Sequence, residues 1–207
     1  MTHLAVPAQT LNAGLRRVPN WVAYALCSLP AAWLVWLIYA GGLGVDPVKE
    51  LEQRLGEIAL QLIVAGLAVT PLRRMTGISF LRFRRAIGIM AFVYATLHLL
   101  VWLLLDIQLR WAEIWADIVK RPYITVGMTA FVLLVPLVAT SNNLALRRMG
   151  AAAWHRLHRL TYPAAVLGAV HYLMVVKAWP PEPILYLGAV LGLLALRLRW
   201  SRVRVPA

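Results

Sequence analysis

Six stretches of the chain are almost wholly apolar, and none of them alternates with polar residues. They cover 21–40, 58–72, 86–105, 123–140, 160–176 and 184–198, and the polar residues gather in the segments between them. A strand in a membrane barrel needs every second side chain to differ in character, so strands are not expected. Helices keep every backbone hydrogen bond internal, as hydrocarbon demands, and about 20 apolar residues are needed to cross roughly 30 Å of it. The second, fifth and sixth runs fall short of that length and are expected to extend about a turn into their flanks. The pattern predicts an all-α integral membrane protein. Its body is a six-transmembrane-helix bundle over residues 21–199, with short tails at 1–20 and 200–207.

Composition supports the membrane class. Of 207 residues, 61% are hydrophobic and only 14% charged, more apolar surface than a soluble domain of this size can bury. The net charge of +13 would suggest a nucleic-acid partner if it were spread over a surface. It is not. Arg16, Arg17, Arg73, Arg74, Arg82, Arg84, Arg85, Arg147, Arg148, Arg156, Arg159, Arg197, Arg199, Arg202 and Arg204 lie in four segments that hold no acid. The eight acids Asp46, Glu50, Glu52, Glu57, Asp106, Glu113, Asp117 and Glu182 lie in the three alternate segments. The positive-inside rule then makes both termini cytoplasmic and assigns the basic excess to topology and lipid headgroups, with no nucleic acid bound.

Several chemistries are excluded at this stage. The Arg16–Arg17 pair precedes an apolar run without a small-residue cleavage site, so an uncleaved first helix is expected. The one cysteine, Cys27, rules out an internal disulfide and a Cys-x-x-Cys-His haem attachment. No cytoplasmic segment is long enough for a nucleotide-binding domain, and a nicotinamide reductant would be handled by another protein.

The histidines carry the candidate chemistry. His98 lies thirteen residues beyond Arg85, and His171 lies thirteen beyond His158, each about 20 Å along a helix at ~1.5 Å per residue. The third and fifth spans run in the same direction, so His98 and His171 sit at matching depth in the outer half of the membrane. An intramembrane imidazole needs a partner, and two at one depth point to shared ligation. No carboxylate falls inside the apolar runs, which argues against a hard-cation site. A b-type haem held by two histidines fits best, against the alternative of structural histidines bonded to carbonyls. At the inner end, His158 lies at the level of Arg84 and Arg85, which could hold a phosphate or a haem propionate or merely mark the membrane boundary. His155 reads as interfacial, and Pro163 is a candidate kink in the fifth helix.

The stretches GGLGVDPVKE (41–50), TPLRR (70–74), RRAIG and ATLHL within 84–99, RPYITVG (121–127) and LHRLTYPAAVLGAVHYLMVVK (157–177) occur in an order that resembles the YedZ/MsrQ family. These are haem-binding membrane subunits of the periplasmic protein-methionine-sulfoxide reductase system. A more distant similarity is to ferric reductase-like transmembrane domains. The resemblance implies haem b, one or two, with His98 and His171 as axial ligands of the iron and His158 as a third haem-binding histidine. It also implies FMN, whose phosphate would fall near Arg84 and Arg85. The arginine where the larger superfamily has an inner histidine puts a second bis-histidine haem in question.

The expected function is electron transfer across the bacterial inner membrane, by a multi-pass subunit without a catalytic residue of its own. The donor would be the quinone pool or a cytoplasmic flavin reductase, and the acceptor a periplasmic molybdopterin-containing, MsrP-type methionine-sulfoxide reductase. Two other readings stay open: a transmembrane reductase acting directly on ferric iron or a small oxidant, and a non-redox membrane protein.

Overall fold

The computed structural model describes residues 5–176 and 180–202, all of whose regular elements are helical. Each of the six apolar runs folds as a helix. They correspond to α2 (Asn20–Ala40), α3 (Pro47–Thr76), α4 (Arg84–Val101), α6 (Pro122–Ala139), α8 (Thr161–Val175) and α9 (Pro181–Arg202). Three further helices, α1 (Ala5–Arg17), α5 (Trp111–Lys120) and α7 (Asn143–Leu157), connect or flank them. The expected N-terminal tail is therefore largely helical. The expected C-terminal tail falls, beyond Arg202, outside the described residues.

Local sequence sets the helix ends. Asp46 caps α3 by accepting from the Lys49 amide at 3.1 Å, with Pro47 in the first turn, where its missing N–H costs nothing. At the other end Gly77 adopts φ +77° and its amide closes on the Arg73 carbonyl. Gly41 ends α2 in the same left-handed conformation. Past α4 the chain makes a π turn over Trp102–Asp106, and Gln108 and Leu109 take positive φ before α5 begins. Pro163 lies in the first turn of α8, just after a 3-10 turn at His158–Leu160. In that position the N–H it lacks would have had no acceptor within α8.

Among the described residues, four elements are long and apolar enough to cross a membrane: Asn20–Ala40, Pro47–Thr76, Leu81–Asp106 and Pro122–Ala139. At fifteen residues α8 is about 22 Å long, shorter than the hydrocarbon layer. The surface is apolar where these helices face outward; on α2, Trp21, Leu29, Trp33 and Trp36 are all exposed, as suits contact with lipid. Packing inside relies on small residues. Ala165 and Ala169 are fully buried and let α8 close against Leu60 and Leu67 of α3 and Val190 of α9.

One interior contact repairs a helix. Pro30 lies within α2, and the hydroxyl of the fully buried Tyr94 on α4 enters the backbone ladder beside it. It accepts from the Ala31 amide at 2.9 Å and donates to the Cys27 carbonyl at 2.7 Å, a pair that would otherwise bond directly.

Candidate functional site

His98 on α4 and His171 on α8 face each other across the middle of the bundle. Their ring centres are 6.1 Å apart and their planes inclined by 74°. Each ring is held the same way by a neighbouring helix. His98 Nδ1 lies 2.8 Å from the Glu52 carbonyl on α3, and His171 Nδ1 lies 2.8 Å from the Tyr123 carbonyl on α6. A carbonyl only accepts, so each Nδ1 carries its hydrogen and each Nε2 is left with a free lone pair. Four residues after each carbonyl comes a glycine, one helical turn on. A Cβ at Gly56 would lie 3.0 Å from His98 Nδ1, and one at Gly127 would lie 2.8 Å from His171 Cε1 and Nδ1. Both imidazoles thus rest directly on the backbone of the adjacent helix, which a side chain would prevent.

The geometry suits one ion between the rings. A metal–imidazole bond is about 2 Å and the ring centre lies roughly 1 Å beyond the nitrogen, so rings on opposite sides of one ion sit about 6 Å apart. Among the described residues no group of three or more His, Cys, Asp or Glu is placed to hold a metal. A bare ion would need further donors. A macrocycle that brings its own equatorial nitrogens would not, and the surroundings have room for one. The histidines line a cavity of about 700 Å³, within the range of sites that hold cofactors, with Ala95, Ala130, Phe131, Leu134, Ala164 and Gly168 among its apolar walls.

The mouth of this cavity is polar, which the sequence pattern did not indicate. Lys49, Glu52, Glu57, Asp106 and Arg121 line it. The expectation that no carboxylate enters the spans is corrected here, because α3 begins at Pro47, eleven residues before its apolar run at 58–72, and carries Glu52 and Glu57 down to the histidines. Glu57 also belongs to a small network: Gln61 Nε2 donates to Glu57 at 3.1 Å and to the Tyr186 hydroxyl at 2.8 Å, and that hydroxyl donates to Glu57 at 3.1 Å. A Glu at i and Gln at i+4, pointing one way from the start of the run, was the available signal.

The other expected residues lie elsewhere. His158 stacks on Trp154 with ring centres 3.7 Å apart, and its Nε2 is 3.1 Å from Thr140 Oγ1. The Thr140 hydroxyl also donates to the Pro136 carbonyl at 2.6 Å, which leaves its oxygen to accept from His158 Nε2. His155 touches the edge of the Trp154 ring. Arg85 is exposed and donates to Asn143 Oδ1 at 2.7 Å, tying α4 to the start of α7. Arg84, one residue earlier on α4, is half-buried.

A helical membrane bundle with two facing histidines defines a class, and residues 54–169 match the family described as ferric reductase like transmembrane component. The chain belongs to that family and, within it, to the MsrQ group. It is 48% identical over 178 residues to the protein-methionine-sulfoxide reductase heme-binding subunit MsrQ of Brucella anthropi, covering 86% of this chain and 80% of that protein. It is 47% identical over 189 residues to the proteins of the same name from Brucella ovis and Brucella canis, covering 90% of this chain and 86% of each.

Proposed function

We propose that the chain is the electron-conducting, haem b-bearing subunit of a protein-methionine-sulfoxide reductase. In this reading it passes electrons across the bacterial inner membrane to a periplasmic, molybdopterin-containing catalytic subunit of the MsrP type. The observation that carries it is the His98–His171 pair: two free Nε2 atoms, ring centres 6.1 Å apart, facing across a cavity with apolar walls, with no group of three or more His, Cys, Asp or Glu placed to hold a metal among the described residues. When bound, the haem supplies reversible one-electron chemistry. The protein's residues do the rest. Glu52 and Tyr123 carbonyls orient the imidazoles and raise their basicity through Nδ1–H, and the apolar walls keep water from the iron and tune its potential. The mouth, with Glu52, Asp106 and Arg121, offers a charged rim where the catalytic subunit would dock.

The relatives' name supports haem binding and the partnership with the reductase. The reading includes six spans over 21–199, with the arginine-rich ends and both termini cytoplasmic and the cavity mouth periplasmic. Electrons enter from the quinone pool or a cytoplasmic flavin reductase, with FMN toward the arginine-rich side. One haem is assigned. His158 stays outside the ligand set, because its Nε2 is engaged by Thr140.

The test is the reduced-minus-oxidised visible spectrum of purified protein. Wild type should show a low-spin bis-imidazole haem at one equivalent, and His98→Ala and His171→Ala should each lose it. Bands that survive in both variants would sink the assignment. A second reading, direct reduction of ferric iron or a small oxidant, is favoured by the match to the ferric reductase-like family. Reoxidation of the reduced haem by the catalytic subunit but not by ferric chelates separates the two.

A further inference from the structure

A second opening lies beside the histidine cavity, on the outer surface of α2 and α3. Glu57 and Gln61, one turn apart on α3, and Pro30, Trp33 and Leu34 on α2 line a groove of about 250 Å³. Glu57 lines the histidine cavity as well, so its side chain borders both spaces. It follows Gly56, on which the His98 ring rests, and so sits at the level of the histidines. Gln61 is exposed about 6 Å further along a helix that is apolar enough to cross a membrane. Polar side chains are costly at such a depth and mark a site by default. Their mutual hydrogen bonds leave two acceptors over. Glu57 Oε1 receives both Gln61 Nε2 and the Tyr186 hydroxyl, and Gln61 Nε2 also donates to that hydroxyl. Glu57 Oε2 and Gln61 Oε1 have no donor among the described residues. The exposed Trp33 gives the groove an aromatic wall.

The ligand that fits such a groove arrives through lipid, is flat and apolar, and donates an O–H. An anion would meet a carboxylate of its own sign, and an acyl chain would leave both acceptors unmet. We infer that the groove binds a lipid-soluble hydroquinone, with Trp33 against its ring and Glu57 and Gln61 accepting from a ring hydroxyl. The space takes one six-membered ring, whose tail stays in the lipid. Oxidation of the hydroquinone to the quinone releases two protons and two electrons. The protons pass in turn to the Glu57 carboxylate, acting as general base, and on to the charged mouth that Glu57 shares with Glu52 and Asp106. The electrons pass singly to the one-electron acceptor that the proposed function places at His98 and His171, and from it to the catalytic subunit. The inference rests on that reading for its acceptor and deepens it. The quinol donor meets the chain at the level of the histidines, through Glu57, and not at the arginine-rich end.

The experiment uses the full chain purified in detergent, as wild type, Glu57→Gln, Gln61→Leu and Trp33→Leu. Each is titrated with decylubiquinone by calorimetry, a readout that needs no haem. Wild type should bind, and Gln61→Leu and Trp33→Leu should each bind about 5- to 10-fold more weakly. Glu57→Gln keeps the shape and an acceptor, and should bind like wild type. Decylubiquinol should reduce the haem of wild type, and that of Glu57→Gln on the order of 100-fold more slowly, while dithionite reduces both alike. Wild type photolabelled with an azidoquinone should carry the label within 30–34 or 54–61, which decides the site even if a variant fails to fold. An elution profile like wild type shows that a variant is folded. The inference is overturned if wild type binds no decylubiquinone, if the label falls outside those segments, or if decylubiquinol reduces folded Glu57→Gln as fast as wild type. Binding and labelling as expected in a chain that holds no haem would keep the groove and sink the proposed function instead.

Discussion

Alanine at Gly127 puts one methyl group against His171 and tests whether the bare helix backbone is what seats the ligand. The new Cβ would lie 2.8 Å from His171 Cε1 and Nδ1. Carbon atoms settle at about 3.5 Å or more, so the ring must retreat by about 0.7 Å. An imidazole free at Nε2 can make that move by rotating, and alanine is a better helix former than glycine by about 1 kcal/mol, so the apoprotein should be no less stable. An imidazole fixed to iron cannot move without stretching a bond of about 2 Å or breaking its 2.8 Å contact with the Tyr123 carbonyl. Overpacking of about 1–3 kcal/mol and loss of a hydrogen bond of about 1 kcal/mol together weaken haem binding by roughly 30- to 1,000-fold. Gly56→Ala, where the corresponding distance to His98 Nδ1 is 3.0 Å, should show the same effect more weakly. The assay is haem titration of apoprotein in nanodiscs, with thermal unfolding of the apoprotein measured alongside. Wild-type haem affinity in Gly127→Ala, or a larger loss in Gly56→Ala than in Gly127→Ala, would refute the reasoning.

Three further outcomes follow from the same contacts. Gly168→Ala, although it lines the cavity, should bind haem like wild type, because its Cβ would meet only Leu60 Cδ1 at an ordinary 3.8 Å; a spectrum lacking the haem bands would contradict this. Tyr94→Phe withdraws the hydroxyl that bridges the Ala31 amide and the Cys27 carbonyl, and should destabilise the protein by about 1–3 kcal/mol, read as a lowered midpoint of thermal unfolding in detergent. An unchanged midpoint would mean that α2 closes the rung unaided. His158→Ala should leave haem content at the wild-type ratio, since its Nε2 serves Thr140; a halved content would reveal a second haem.

The apolar runs alone were enough for the helical class and the positions of six helices, because an uninterrupted apolar stretch has few options besides a helix in lipid. Glycine and proline marked several ends, at Gly41, Gly77 and Pro47, for reasons internal to each residue's backbone. The equal depth of His98 and His171 was also legible, since rise per residue is a constant of the helix. What spacing along a helix cannot encode is rotation about its axis and the identity of the neighbour. Only the packed bundle put Gly56 under His98 and Gly127 under His171, and so decided which nitrogen of each ring is free. The same holds for Arg84 and Arg85, adjacent in sequence but about 100° apart around the helix, so that Arg85 is exposed and ties down α7 while Arg84 is half-buried. The place of Glu57 in the cavity lining was not legible, because an apolar run stops at its first charge, whereas the helix that carries it continues until its backbone bonds run out.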